Sequence, residues 1–246
     1  MPTAVGTGMA GNTGTPMAEA APAAPSLALV RLLYLVSPSL PVGAFTYSQG
    51  IEWAVEQGWL MDVGTVENWL SDQLDNALVR LDLPIAARMM AAVAAADQDA
   101  LAGLTDQLIA TRETSELRAE ERQRGRAMAD LLCALELTGA GAWRHLLMQS
   151  QTAGFAFAAT RWGIPVVDAL AGLAFSWAEN LVLAAVKLVP LGQTDGQRVL
   201  TRVGARIPAA VELALELDDE DIGAASPALA IASARHERQY TRLFRS

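Results

Sequence analysis

Few residues in this chain could do reactive or metal chemistry. Its 246 residues include two histidines, His145 and His236, and a single cysteine, Cys133. A structural zinc site needs closely registered Cys and His ligands, and no pair here has that spacing. His236 and Glu237 open an HExxH pattern, but Tyr240 stands at the second histidine position, so a zinc hydrolase would lack a ligand there. Neither GxxxxGK[ST] nor GxSxG occurs, so no phosphate-cradling loop or nucleophile elbow is readable. Gly6–Gly11 formally reads GxGxxG, but no strand pattern precedes it and Pro16 follows closely. The expectation is no catalytic residue, no metal-ligand set and no cofactor. A hydrolase using His236 and Glu237, and a chain that binds a metal ion directly, stand as rivals.

Three segments carry chemistry suited to contact instead. From Pro208 to Ala234 there is no basic side chain, while Glu212, Glu216, Asp218, Asp219, Glu220 and Asp221 form an acidic stretch. Arg235, Arg238, Arg242 and Arg245 then crowd the last residues. If that tail is helical, the 3.6-residue period puts the four guanidiniums on one side and His236, Tyr240, Leu243 and Phe244 roughly opposite. Such a segment could dock a partner, since Tyr and Arg dominate interface hot spots. It could also fold back, its arginines pairing the chain's own acidic stretch. In Ser37–Glu52, two prolines and Gly43 fix a turn, Gly50 permits close backbone approach inside a helix, and Tyr47, Ser48 and Glu52 are polar among apolar neighbours. In the third segment, Asp168, Ser176, Glu179, Asn180 and Lys187 share about a third of a helical wheel. They read as a solvated edge, a polar-lined path or an interface. Thr111–Arg126 is charge-dense and reads as a solvated helix face or a docking surface.

The elements that must position these residues are helical. Hydrophobic residues make up 52% of the chain, and Ala and Leu, the strongest helix formers, dominate them. Helices are predicted over Ser26–Val36, Gly43–Gln57, from an Asp62 or Thr65 cap to about Arg80, from Pro84 through Ala96, and from Asp97 to Ala110. Others follow over Ala142–Trp162, Val166–Val189 and Gln193–Leu217, the last broken near Pro208. The predicted fold is all-α: a single helical-bundle domain of roughly ten helices over 27–246, after a disordered leader over 1–26 that is rich in Ala, Gly, Thr and Pro, without an aromatic residue and with Glu19 as its one charge. Val166–Val189 is the most apolar stretch, but Asp168, Glu179, Asn180 and Lys187 favour a buried soluble helix over a membrane span. The net charge of −9 argues against nucleic acid and anionic membranes as partners. The lone cysteine fits a reducing, cytoplasmic setting, and the N-terminus lacks the pattern of a secretory signal.

These segments resemble the urease accessory protein F (UreF) family. Ser37–Glu52 matches a family motif similar to SPxLPxGxFxYSxGxE. Gln49 stands where many members carry His, so no ligand role is carried over there. Arg112–Gly125 resembles RETxELRxEExxRG, Ser176–Gln193 is similar to SWxExxVxAxVKLVPxGQ, and Ile231–Ser246 looks like the family's terminal signature. The resemblance runs in order from about Leu27 to Ser246. It implies an all-helical, dimeric, non-catalytic scaffold that binds the accessory protein UreD (also UreH) and recruits or regulates the GTPase UreG, so that nickel enters apo-urease. It also implies that Arg235, His236, Glu237, Tyr240, Arg242, Leu243, Phe244 and Arg245 form a mobile partner-docking tail over 231–246. Tyr47, Ser48 and Glu52 would then belong to a dimer or GTPase-facing surface.

Overall fold

A computed structural model of the chain describes residues 1–3, 26–223 and 226–246. The predicted leader therefore lies almost wholly outside the described residues. Among the described residues every regular element is helical, as predicted. The α-helices are α1 (Leu27–Leu35), α2 (Ile51–Glu56), α3 (Val63–Gln73), α4 (Leu83–Ala94), α5 (Gln98–Thr111), α6 (Ser115–Ala134), α7 (Ala140–Leu147), α8 (Gln151–Arg161), α9 (Val166–Leu188), α10 (Gln193–Gly204), α11 (Ile207–Glu216) and α12 (Pro227–His236).

Local chemistry sets most boundaries. Asp62 and Thr65 act together at the start of α3: the Asp62 side chain accepts the Thr65 N–H at 2.8 Å, and Thr65 Oγ1 accepts the Asp62 N–H at 3.0 Å. This reciprocal cap satisfies donors that a helix start leaves open. Ser26, Asp97, Thr114 and Ser150 cap α1, α5, α6 and α8 in the same sense. The Ser150 cap divides the stretch predicted as one helix over Ala142–Trp162. The predicted helix over Gly43–Gln57 is also shorter. A 3₁₀ turn spans Ala44–Thr46, and α2 begins only after Gly50, whose φ of 80° ends any earlier helix.

The predicted break at Pro84 is absent. The chain stays helical from Val63 to Ala94 by widening to a π-helix over Leu74–Asp82. A proline inside an α-helix removes one N–H and crowds the carbonyl four residues earlier. Here that carbonyl belongs to Arg80, and it accepts the N–H of Gly223 at 3.0 Å. The wider coil thus accommodates Pro84 and lends a carbonyl to the loop before α12.

Two apolar clusters form the core. One gathers Ile51, Leu70, Leu74, Leu170, Leu181, Val199 and Val211 from α2, α3, the π segment, α9, α10 and α11. The other gathers Ile85, Met89, Leu101, Met128, Leu147, Phe155 and Phe157 from α4 to α8. Helix α4 faces both, with Leu83 and Ala86 toward the first and Ile85 and Met89 toward the second. Each fully buried side chain of this size contributes about 1.5–3 kcal/mol. Close approach tightens the α6–α8 contact, since a Cβ on Gly125 would lie 2.7 Å from the backbone of Ser150. Helix α9 is long and apolar enough to cross a bilayer by composition, with a mean hydropathy of 1.6, yet Ala169, Leu170, Ala174, Ala178, Leu181 and Ala185 bury one face of it in the protein core.

Candidate functional site

The two terminal motifs meet. Helix α12 ends at His236, so the tail does not continue as a helix and its arginines form no single stripe. Instead Glu237–Ser246 turns back across α2 and α6. Glu52, on the first turn of α2, is the anchor: its Oε1 accepts the Leu243 N–H at 2.6 Å and its Oε2 accepts the Phe244 N–H at 2.9 Å. His236 is fully buried, with Nε2 at 3.2 Å from Glu52 Oε2 and Nδ1 at 2.7 Å from Glu116 Oε2. Arg242 donates to the other Glu116 oxygen at 2.6 Å. A buried carboxylate is costly unless its oxygens are filled, and here one imidazole, one guanidinium and two backbone amides fill both pairs.

Short side chains complete the seam. Ser48 donates its N–H to Ser246 O at 2.6 Å, and Ser246 Oγ donates to Glu120 at 3.0 Å. Tyr47 donates its hydroxyl to Gln123 at 2.8 Å, while its carbonyl accepts from Asn180 at 3.3 Å. Thr46 O accepts the Arg245 N–H at 2.8 Å. Glu237 accepts from Ser115 N and Oγ at the start of α6. The Ser115 hydroxyl first, then the backbone N–H groups of Glu116 and Ser115, hold the Glu237 carboxyl below its ordinary value against the opposing effect of burial. Gly50 lets α2 press on α12, since a Cβ there would sit 2.9 Å from Ala232 Cβ.

The aromatic and aliphatic tail residues therefore divide. Phe244 is buried with Lys187 Nζ 5.6 Å from its ring centre, whereas Tyr240 is 103% and Leu243 67% exposed. Arg235 is exposed, and Arg245 reaches Gln123 at 3.4 Å. The tail does fold back, but onto Glu116 and Glu52 rather than the acidic stretch, whose Asp219 pairs Arg88 at 2.5 Å.

The α9 polar residues do not act as one group. Asp168 is exposed near the start of the helix. Ser176 and Asn180 line a central cavity of about 70 Å³ together with Gln49, Gln73, Asp82, Arg112, Glu120, Glu121 and Arg124. Glu179 lines a smaller neighbouring cavity, and its partial burial raises its carboxyl above the ordinary value. Sequence reasoning missed the role of α6. Glu116, Glu120 and Gln123 follow a three- and four-residue spacing that puts them on one face, the signal that could have found them. Buried Glu121 was missed as well. It accepts from Ser150 Oγ, Thr152 N and Thr152 Oγ1 and pairs with Arg112, which also grips Asp82.

The body is helical and its last segment folds back across α2 and α6, and among the described residues no group of three or more His, Cys, Asp or Glu could hold a metal ion. A UreF family model matches residues 60–204. The urease accessory protein UreF of Pseudomonas putida (strain W619) is 51% identical over 220 residues, covering 89% of this chain and 98% of the relative. The UreF of Alcanivorax borkumensis is 50% identical over 226 residues, with the same shares covered. That of Escherichia coli O157:H7 is 46% identical over 217 residues, covering 88% and 97%. The chain belongs to the UreF family of urease accessory proteins.

Proposed function

We propose that this chain is a non-catalytic, cytoplasmic scaffold that binds UreD and recruits or regulates the GTPase UreG while nickel is delivered to apo-urease. The observation that supports it best is the tail, where Glu52, His236 and Glu116 hold the backbone still while Tyr240 and Leu243 face solvent. A segment ordered in advance loses less entropy on binding, and its exposed aromatic and aliphatic groups suit a partner's pocket.

The same reading includes a homodimer. Leu27, Val30, Leu33 and Tyr34 on α1 and Val167 and Phe175 on α9 are all exposed, and these two helices pack on each other. Scattered apolar residues need no explanation, but a contiguous set on two packed helices favours a partner surface. Co-purification of the full chain with UreD and UreG homologues, with and without Tyr240–Ser246, tests the scaffold. Retention of both partners by the truncated chain would refute tail docking.

A second reading has nickel pass through the chain, favoured by the polar cavity at Ser176 and Asn180. A Ser176→Leu, Asn180→Leu chain would then keep its partners yet yield urease poor in nickel.

A further inference from the structure

The tail borders an open groove on the outer face of α6, about 520 Å³ in volume, walled by Tyr47, Ala119 and Gln123 on one side and Arg242, Leu243 and Arg245 on the other. Its one carboxylate, Glu116, is already occupied by His236 and Arg242. One step around α6, three residues beyond Ala119 and Gln123, come Arg122 and Arg126, both exposed. Neither has an ion pair among the described residues. Arg126 has Asp130 four residues on, but Asp130 pairs with Arg144 at 2.6 Å. Positive charge is thus concentrated along this face of a chain whose net charge is −9.

We propose that this groove receives an acidic segment of the partner protein that meets the tail, with Arg122, Arg126 and Arg245 reading its carboxylates and Leu243 packing on its apolar side. The inference rests on the scaffold reading and adds the partner's chemistry. Charge complementarity of this kind steers encounter and selects partners, and its effect weakens with salt. Guanidinium groups pair carboxylates in planar, two-pronged fashion, which suits arginine here better than lysine. A second copy of this chain, offering its own acidic stretch around Asp218–Asp221, would bind head to tail and form open-ended assemblies unless the rotation happened to close.

The test measures affinity of the full chain for purified UreD and UreG homologues, each at low and high ionic strength, beside a chain carrying Arg122→Glu and Arg126→Glu. Both positions are exposed and unpaired, so the variant is expected to fold. An Arg80→Glu chain, which carries half the charge change of the double variant, controls for charge reversal away from the groove, since Arg80 is exposed and has no ion pair among the described residues. The expected result is at least a ~10-fold loss of affinity at low salt for the partner whose binding needs the tail, with a shallower salt dependence, and little change in the control. Unchanged affinity and salt dependence would overturn the inference while leaving the scaffold reading intact. Loss of self-association with partner binding preserved would overturn it in favour of a second copy. Failure of the unmodified chain to bind either homologue would instead defeat the scaffold reading on which the inference stands.

Discussion

His236 and Glu52 lie 184 residues apart in the chain and meet at 3.2 Å, and the same Glu52 carboxylate holds the backbone amides of Leu243 and Phe244. One side chain therefore ties helix α12 and the tail to α2. Glu52→Ala strands the backbone amides of Leu243 and Phe244, each costing about 1–3 kcal/mol when left unpaired. The expected outcome is a stability loss of roughly 2–4 kcal/mol and fast hydrogen exchange at Leu243 and Phe244. Unchanged protection of those two amides would show that Glu52 is not the anchor.

Glycines at the two closest crossings give a steric test. Gly50 has a φ of 80° and lies 2.9 Å, through an added Cβ, from Ala232. Gly50→Ala combines a left-handed backbone cost of about 1–2 kcal/mol with overpacking of about 1–3 kcal/mol. Gly125→Ala has no such backbone strain, but its Cβ would meet the Ser150 backbone at 2.7 Å. Thermal unfolding should show both variants destabilised by several degrees, whereas Gly103→Ala, with open space around it, should be neutral or slightly stabilising.

Much of the architecture was legible because helix propensity and capping are local. Asp62, Asp97, Pro208 and the run Val166–Val189 mark boundaries that the folded chain keeps. Pro84 misled because its punctuation assumes an α-helix. A π-helical turn and a carbonyl acceptor for Gly223 make the proline tolerable, and both depend on tertiary context. The tail misled for a similar reason. Periodicity shows four arginines and several apolar groups, but not that backbone amides after His236 find a better acceptor in Glu52 than in a further helical turn. Ser48 and Glu52 were legible as polar groups among apolar ones, and their partners were not, since nothing local records which distant carbonyl or imidazole reaches them.

The pH response should follow Glu121. Burial alone would raise its carboxyl, but the Arg112 charge and the donors from Thr152 and Ser150 outweigh burial and hold it below its ordinary 4.5. The unfolded chain then takes up this proton at a higher pH than the folded one. The associated stability is fully present above the ordinary value and is lost as pH falls through the depressed one. Glu121→Gln should be less stable at neutral pH by roughly 2–4 kcal/mol. The gap to the unmodified chain should narrow as pH drops below the ordinary carboxylate value and through the depressed one. A gap independent of pH, measured by denaturant unfolding, would contradict this assignment.

Self-association should respond to the exposed apolar face. Leu33 is 60% exposed on α1, so Leu33→Arg should leave the fold and its thermal unfolding intact. Sedimentation of the two chains at one concentration should show the unmodified chain as the proposed dimer and the variant as a monomer. A variant that dimerises with unaltered affinity would move the dimer contact away from α1.

In the proposed scaffold the pinned tail presents Tyr240 and Leu243 to a partner. Their side chains bear on solvent, so Tyr240→Ala with Leu243→Ala tests binding without disturbing the grip of Glu52 on the backbone. Calorimetric titration against UreD and UreG homologues is the direct measurement. The expected result is a loss of about 2 kcal/mol or more for one of the two partners, with an unchanged unfolding temperature. Full affinity for both partners in the double variant would contradict it.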